Sequence, residues 1–216
     1  MPPRPKIPRP TVKRLSLYLR ELEGRLEHGA DTISSRQLAA QLGLTDAQVR
    51  KDLAYFGQFG HPGVGYSTSE LVGRLRGILG VDRQWNAAVV GAGNIGRALM
   101  SYQRFRGKGF DIVAVFDNDP SVVGRRFGDH DVRALEDLPA LAKERDIKIG
   151  IIAVPASAAQ DVATRLIDAG VLGILNFAPR RLEVGDATSI VTVDFSIALE
   201  QLAFQMSLGL MGSLDE

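Results

Sequence analysis

The sequence predicts an α/β protein in two parts, a winged helix-turn-helix domain followed by a Rossmann-like doubly wound parallel sheet. Two short capped helices joined by "GLT" lie in the first eighty residues, and apolar strands alternate with helical segments from residue 85 onward. Strand–helix alternation of this kind forms a parallel sheet covered on both faces. We expect an arm over residues 1–11, a DNA-binding domain over 12–80, a sheet domain over 81–194 and a terminal helix over 195–216.

The composition narrows the class of protein. The 216 residues are 45% hydrophobic and 24% charged, which is ordinary for a globular chain. No apolar run is long enough for a membrane span, and the start "MPPRPKIPRP" lacks the apolar core of a secretion signal. The absence of cysteine excludes disulfides and Cys-ligated zinc. We therefore expect a cytoplasmic protein with no membrane partner.

The charge is distributed unevenly along the chain. Residues 1–80 carry 12 Lys and Arg against 7 Asp and Glu, whereas residues 81–216 carry 14 against 18. A basic first domain is typical of nucleic-acid contact, although basic segments are often merely solvated. The first ten residues hold five prolines and three basic residues, which predicts a disordered or extended arm.

Three helices are predicted in the first domain. Leucines recur at helical spacing between residues 12 and 28. Ser34 with Gln37, and Thr45 with Gln48, fit the capping-box pattern and predict helices over about 35–42 and 46–56. Two short helices with a tight connection form a helix-turn-helix, whose second helix enters the major groove of DNA.

The second short helix has an apolar face and an open face. Val49, Leu53 and Phe56 fall on one side, while a low surface of two alanines around Lys51 falls on the other. Such a surface can approach base edges closely, so that Lys51 and Arg50 reach guanines or phosphates. Any small helical hairpin with a solvated basic face is the alternative.

The glycine-rich stretch "YFGQFGHPGVGY" favours DNA. Its four glycines between aromatic residues predict a short hairpin, the wing of a winged helix. We expect no metal site, because His61 has no His, Cys or carboxylate partner at ligand spacing. The candidate DNA contacts are Arg14, Ser35, Arg36, Gln48, Arg50, Lys51, Tyr55 and His61.

The stretch "WNAAVVGAGNIGRALM" predicts a strand, a glycine turn and a helix beginning near Asn94. In G-x-G-x-x-G spacing, Gly91 permits the tight turn, Gly93 lets the backbone approach a pyrophosphate, and Gly96 allows close helix packing. Glycine turns are common, so the motif alone is weak evidence. The candidate cofactor residues of this turn are Gly91, Ala92, Gly93, Asn94, Ile95 and Gly96.

A second strand, "FDIVAVFDNDP", ends in Asp117, where a carboxylate accepts the adenosine ribose hydroxyls, with Asn118 beside it. No Arg or Lys stands within that turn to bind a 2′-phosphate, which favours NAD(H) over NADP(H). A strand-end Asp that merely caps a turn is the alternative.

Three further strands are predicted in "IKIGIIAVP", "VLGILNFAP" and "SIVTVDF". Ligands of doubly wound sheets bind at the carboxyl ends of the strands. This rule places four residues near the nicotinamide, namely Val154, Pro155, Asn176 and Phe177.

The sequence offers no catalytic machinery beside this site. It contains no substrate-binding insertion and no Tyr-x-x-x-Lys pair, and His130 lies in "GDHDVR", which we interpret as a charged loop. We therefore predict that the protein is not an enzyme and that the cofactor is a signal. A small NAD-dependent oxidoreductase and a regulator that binds another nucleotide, such as an acyl-carrier cofactor, remain alternatives.

The final segment, "FSIALEQLAFQMSLGLM", predicts a helix that is apolar on nearly all sides. Such a helix must be buried on most of its surface. A partner subunit is the natural host, which predicts a homodimer with exchanged terminal helices. Packing across its own domain is the alternative.

Taken in order, "TDAQVRKDLAYFGQFGHPGVGY", "VVGAGNIGRAL", "NFAP" and "VDF" resemble the redox-sensing transcriptional repressors of the Rex family. The resemblance covers nearly the whole chain after the arm. It implies a homodimer that binds palindromic operator DNA when NAD⁺ dominates and releases it when NADH binds. It also implies that residues 91–96 hold the pyrophosphate, that Asp117 holds the adenosine ribose, and that Phe195 packs near the nicotinamide of the partner subunit.

A switch is expected beside Phe195. Asp194 could exchange partners between Arg20, in the winged helix, and Tyr102, in the helix beside the ring. Such an exchange would report whether the dimer is closed around the cofactor.

Overall fold

A computed structural model describes residues 7–60 and 65–212 of the chain. The chain divides into two units, Met1–Arg83 and Gln84–Glu216. The division lies three residues after the expected boundary at residue 80, because Gly80 ends a helix in left-handed geometry and the next strand begins only at Trp85.

The first unit is a helical bundle with a two-stranded sheet. Its elements are α1 (Arg9–Glu27), β1 (Thr32–Ile33), α2 (Ser35–Leu42), α3 (Asp46–Ala54), β2 (Tyr66–Ser67) and α4 (Thr68–Leu79). Helix α4, which the sequence interpretation missed, packs on α1 and completes the core. The core side chains include Leu15, Tyr18, Leu22, Leu38, Val49, Leu53, Leu71 and Leu75.

Helix α1 begins earlier than predicted. Its N-cap is Pro8, and a proline also occupies its first turn, where the missing N–H costs nothing. Residues 9–11 of the expected arm are therefore helical. Residues 1–6 lie outside the described part of the chain.

The helix-turn-helix forms as predicted, with one difference at its second cap. Ser34 and Gln37 form a complete capping box at α2. Thr45 accepts a hydrogen bond from the Gln48 backbone N–H at α3, but the Gln48 side chain does not return to the cap. It donates to Asp52 instead.

The glycine-rich stretch differs from a simple hairpin in its described part. Residues 57–60 contain no strand, and β2 pairs antiparallel with β1. Gly65 needs to be glycine here, because its φ is +94° and a Cβ would lie 2.7 Å from the carbonyl oxygen of Ile33. His61 and the rest of the predicted tip lie outside the described residues.

The second unit is a seven-stranded sheet with helices on its faces. Its elements are β3 (Trp85–Val90), α5 (Asn94–Met100), β4 (Phe110–Asp117), β5 (Arg126–Phe127), β6 (His130–Ala134), α6 (Leu138–Glu144), β7 (Ile147–Ile152), α7 (Ala159–Asp168), β8 (Gly173–Asn176), β9 (Ser189–Thr192) and α8 (Phe195–Gly212). The strand order is β5-β6-β4-β3-β7-β8-β9, and every pair except β5–β6 is parallel. This is a doubly wound sheet whose order reverses between β3 and β7, the place where such folds bind ligands.

The interpretation of "GDHDVR" as a loop is wrong. His130 opens β6, which pairs parallel with β4 through Val115 and Val132. The Val132 side chain is buried in the core on one face of the sheet, while the neighbouring residues Asp131 and Arg133 are charged and exposed. A five-residue strand with a single buried residue carries too little apolar periodicity to be recognised from the sequence.

Helix α8 stands apart from the core of its unit. Over residues 195–207, where side-chain exposure is described, the large apolar side chains are at least half exposed, and they are Phe195, Ile197, Leu199, Leu202, Phe204 and Met206. Exposure of so much contiguous apolar surface is unusual in a folded chain. No helix in the described ranges is long and apolar enough to cross a membrane.

Candidate functional sites

The glycine turn after β3 has one open position between two crowded ones. Gly91 has a φ of +102°, and a Cβ there would lie 2.5 Å from the carbonyl oxygen of Ala153. A Cβ on Gly96 would lie 1.9 Å from the carbonyl oxygen of Gly91. Gly93 has no heavy atom within 4 Å of its Cβ direction, so its backbone is open to a ligand. The two crowded glycines shape the turn, and Gly93 leaves room for a pyrophosphate.

Asp117 faces this turn from the end of β4. Its Oδ2 accepts a hydrogen bond from the Ala92 backbone N–H at 2.7 Å, and its Oδ1 accepts one from the Asp119 N–H at 2.9 Å. The Asp117 side chain is half-buried, and Asn118 beside it is exposed. Each carboxylate oxygen retains acceptor capacity. A carboxylate beside an open glycine backbone fits the ribose and pyrophosphate of a dinucleotide.

The other residues of the turn differ in what they offer. Ala92 is buried, whereas Ile95 and Asn94 are exposed. The Asn94 Oδ1 accepts a hydrogen bond from Arg97, one turn along α5. Arg97 was missed by the sequence analysis, although an arginine directly after the last glycine was a usable signal, since it puts a cation beside the turn.

Apolar side chains gather beyond the carboxyl ends of β7 and β8. Val154 and Phe177 are half-buried and Pro155 is exposed. The Phe195 ring lies 6.2 Å from the Phe177 ring of the same chain, centroid to centroid. The placement of Phe195 near the nicotinamide of the partner subunit, which the resemblance implied, stays a prediction.

The prediction that Asn176 is a ligand contact does not fit its side-chain environment. Asn176 is fully buried, its Nδ2 donates to the carbonyl oxygens of Ala178 and Arg180, and its Oδ1 accepts from the Ala178 N–H. Both of its N–H donors are used within the loop. Asn176 therefore shapes the loop that carries Phe177, and its side chain has no donor left for a ligand.

Helix α3 has the predicted open face. Ala47, Lys51 and Ala54 are exposed, while Tyr55 is half-buried. Lys51 forms no ion pair with any residue in the described ranges, so its ammonium group is available to a partner.

The other basic side chains of this face are partly engaged. Arg50 donates to Asp46 at 2.7 Å and to the Ser35 hydroxyl at 3.3 Å, and its hydrogen bond lowers the pKa of the Asp46 carboxyl. Arg36 is exposed at the start of α2. An exposed pair such as Arg50–Asp46 is weak and exchanges readily for a phosphate contact.

Two predicted DNA contacts, Arg14 and Gln48, are half-buried and bind another residue of the same chain. Arg14 donates to both carboxylate oxygens of Asp52, and Gln48 donates to Asp52 Oδ1. Sequence reasoning missed Asp52 because a charged residue on the inner face of an amphipathic helix contradicts the hydrophobic pattern. A direct DNA contact of Arg14 stays a prediction.

The three predicted switch residues lie in separate parts of the chain, Arg20 in a helix and Tyr102 and Asp194 in connecting segments. Arg20 is exposed on α1, and Tyr102 is 49% exposed, with its ring edge-to-face on Phe105. Asp194 accepts hydrogen bonds from the Ser196 backbone N–H and hydroxyl, which lowers the pKa of the Asp194 carboxyl. Asp194 thus caps the start of α8, and its exchange between Arg20 and Tyr102 stays a prediction.

Two family models match the chain. "Putative DNA-binding protein N-terminus" matches residues 6–54, and "CoA binding domain" matches residues 82–180. Among curated relatives, the redox-sensing transcriptional repressor Rex of Carboxydothermus hydrogenoformans is 51% identical over 93% of this chain and 97% of its own length. Rex 1 of Thermotoga maritima is 44% identical over 93% and 96%. The chain belongs to the Rex family.

Solved Rex structures share this fold throughout. RSP, a Rex-family repressor, aligns in its complex with β-NAD⁺ and operator DNA at a TM-score of 0.90 and 35% identity, covering 97% of both chains. The complex of RSP with β-NADH aligns at 0.87 and 33% identity, covering 97% of this chain and 99% of that one. The described part of this Rex chain contains no group of three or more His, Cys, Asp or Glu side chains that could hold a metal.

Proposed function

We propose that this protein represses transcription by binding operator DNA through α3, and that it releases the DNA when NADH binds the glycine turn. The observation that carries the proposal is the glycine turn, where the Asp117 carboxylate binds the Ala92 N–H next to the open backbone of Gly93. The same chain presents Lys51 on the exposed face of α3. A redox-responsive regulator needs both of these features, a site for the dinucleotide and a surface for DNA. The complexes of RSP with NAD⁺, NADH and operator DNA support it.

The ligand is NAD(H) rather than coenzyme A, although a coenzyme A-binding family model matches this unit. The adenosine ribose of coenzyme A carries a 3′-phosphate, whereas that of NAD carries two free hydroxyls. Asp117 holds a carboxylate at the ribose position, and Asp119 follows two residues later. Two acidic groups repel a ribose phosphate, and the first basic residue after β4 is Arg125.

The pocket distinguishes the two redox states by charge. When bound, NADH presents a neutral dihydronicotinamide ring where NAD⁺ presents a cationic one. Val154, Pro155, Phe177 and Phe195 offer it an apolar surface with no carboxylate among them. Burying an unpaired charge in such a surface is costly, so these side chains enclose the neutral ring better.

The repressor is a homodimer whose terminal helices are exchanged. In a single chain the apolar side chains of α8 are exposed, including Leu199 at 65% and Phe204 at 63%. A second copy buries them, and the dimer presents two α3 helices, one from each subunit, which match a palindromic operator with half-sites about one helical turn apart. Asp194 then reports the closed state by changing its partner between Arg20 and Tyr102.

The protein binds its cofactor without catalysis. Of the residues assigned to the nicotinamide end, Val154, Pro155, Phe177 and Phe195 are apolar, and the amide of Asn176 has both donors bound to the backbone. None of them can give or take a proton during hydride transfer. The cofactor therefore acts as a regulatory ligand, and its concentration controls binding of the operator.

The test is a titration of a labelled operator complex with NADH and, separately, with NAD⁺. The operator is a duplex that the protein itself selects from random sequences. Release by NADH at concentrations where NAD⁺ leaves the complex intact supports the proposal. Release by coenzyme A instead, or the absence of any selected sequence, refutes it. Oxidation of NADH by a small carbonyl substrate would show the alternative, an oxidoreductase.

A further inference from the structure

A buried carboxylate lies on the inner face of α3, directly after the exposed Lys51. Asp52 is 0% exposed, and it is the charged residue among the buried side chains of the described part of the first unit. A buried charge is unfavourable unless hydrogen bonds satisfy it. Asp52 follows the predicted DNA contact Lys51 directly, so whatever fixes Asp52 also fixes the position of Lys51.

Asp52 is satisfied almost entirely by α1. Tyr18 donates its hydroxyl to Oδ2 at 2.7 Å, and Arg14 donates to Oδ2 at 2.5 Å and to Oδ1 at 2.7 Å. Thr11 donates to Oδ1 at 3.3 Å, and Gln48 of α3 itself donates to Oδ1 at 2.9 Å. Three side chains on successive turns of one helix therefore converge on a single carboxylate of the other.

The hydrogen bonds of this network are charge-assisted, and in each of them the Asp52 carboxylate is the acceptor. Burial of Asp52 raises the pKa of its carboxyl, but the hydrogen bonds from Arg14, Tyr18 and Gln48 outweigh that effect and the pKa is lowered. Burial and the bond to Asp52 raise the pKa of the Tyr18 hydroxyl, which stays a donor. The Arg14 fork binds both oxygens, so it sets the orientation as well as the distance.

We propose that Asp52 is a positioning residue for operator recognition, and that Arg14 and Tyr18 act through it by holding α3 at one register and angle on α1. The inference rests on the proposed function, in which α3 reads DNA. Base readout needs side chains held to within a fraction of an ångström, whereas phosphate contacts tolerate small displacements. Loosening the network therefore reduces sequence discrimination before it reduces general DNA affinity.

Tyr18→Phe is the decisive variant. Tyr18 is 0% exposed, so it cannot touch DNA, and the substitution removes one hydroxyl from the network without changing the shape of the core. Binding is measured by fluorescence anisotropy for the selected operator and for a scrambled duplex over a series of salt concentrations. Affinity for the operator should fall about tenfold, equivalent to about 1.4 kcal/mol, with little loss on the scrambled duplex and no change in the salt slope.

Arg14→Gln separates positioning from direct contact. A positioning role predicts the same loss of operator preference with an unchanged salt slope. A phosphate contact predicts a slope reduced by about one and equal weakening on both duplexes, as expected for Lys51→Ala. That second pattern would overturn the proposal for Arg14.

Val72→Ala is the stability control. Val72 is buried on α4 and has no polar side-chain atom, so its truncation destabilises the first unit without removing a hydrogen bond from Asp52. Thermal unfolding and NADH affinity are measured for every variant. If Val72→Ala loses operator preference as strongly as Tyr18→Phe at equal stability, or if Tyr18→Phe and Asp52→Asn keep the parental preference, the positioning role is wrong. If the parental protein itself shows no preference, the proposed function fails instead.

Discussion

Replacing Asp117 with alanine tests the cofactor assignment most directly. In the structure the Asp117 oxygens accept backbone N–H groups from Ala92 at 2.7 Å and from Asp119 at 2.9 Å, and the carboxylate keeps acceptor capacity for a ribose hydroxyl. A hydrogen bond to a charged group contributes about 1.5–3 kcal/mol. Loss of the carboxylate should therefore weaken NADH binding by about 10- to 150-fold.

The variant should also relax discrimination against a 2′-phosphate, because the repelling charge is gone. Isothermal titration calorimetry with NADH and NADPH measures both effects. Asp117→Asn retains an acceptor for the Ala92 N–H and should therefore keep the turn intact while losing the charge.

Asp119→Ala is the matched control for this experiment. It removes the same charge two residues away, from an exposed carboxylate that accepts the Ser121 backbone N–H. Its NADH affinity should stay within about threefold of the parent, as for a surface change of about 0.5 kcal/mol. Unchanged NADH affinity in Asp117→Ala, or an equal loss in Asp119→Ala, would refute the ribose assignment.

Three further predictions concern Lys51, Phe195 and Asp52. Lys51→Ala should weaken operator binding and reduce the salt slope by about one, with NADH affinity unchanged, whereas Lys143→Ala on α6 should do neither; normal gel-shift titration of Lys51→Ala would remove it from the interface. Phe195→Ala should erode the preference for NADH over NAD⁺ and keep the protein on DNA at NADH concentrations that release the parent; release at the parental concentration would disprove the enclosed ring. Because the pKa of Asp52 is lowered below its usual 3.8, its stabilising effect is present above that pH and is lost as the pH falls through the folded value. Thermal unfolding of Asp52→Asn should therefore depend less on pH below about 4 than that of the parent, and parallel curves would contradict this.

Local signals predicted most of the elements that carry the sites. The cap at Ser34, the cap at Thr45 and the spacing of the glycines act within four or five residues, so a single sequence is enough to locate α2, α3 and the turn. The short strand β6 and helix α4 were missed. The periodicity of β6 is too weak to recognise, and no motif drew attention to α4.

The partners of individual polar side chains were not predictable in this way. Arg14 was expected on DNA and Asn176 on the cofactor, and in the structure both side chains form hydrogen bonds within the chain that the sequence did not predict. A sequence identifies a residue type that could serve a ligand. It does not show whether another part of the fold uses that residue first.

The sequence by itself determined the two-part architecture, the glycine turn with Asp117 and the exposed face around Lys51, because each depends on spacing along a short segment. Only the tertiary structure decided that Asp52 is buried against α1 and that the described apolar side chains of α8 are at least half exposed in a single chain. The Arg14–Asp52 contact joins residues 38 positions apart. Contacts over such separations depend on how helices pack, and packing is a property of the whole core.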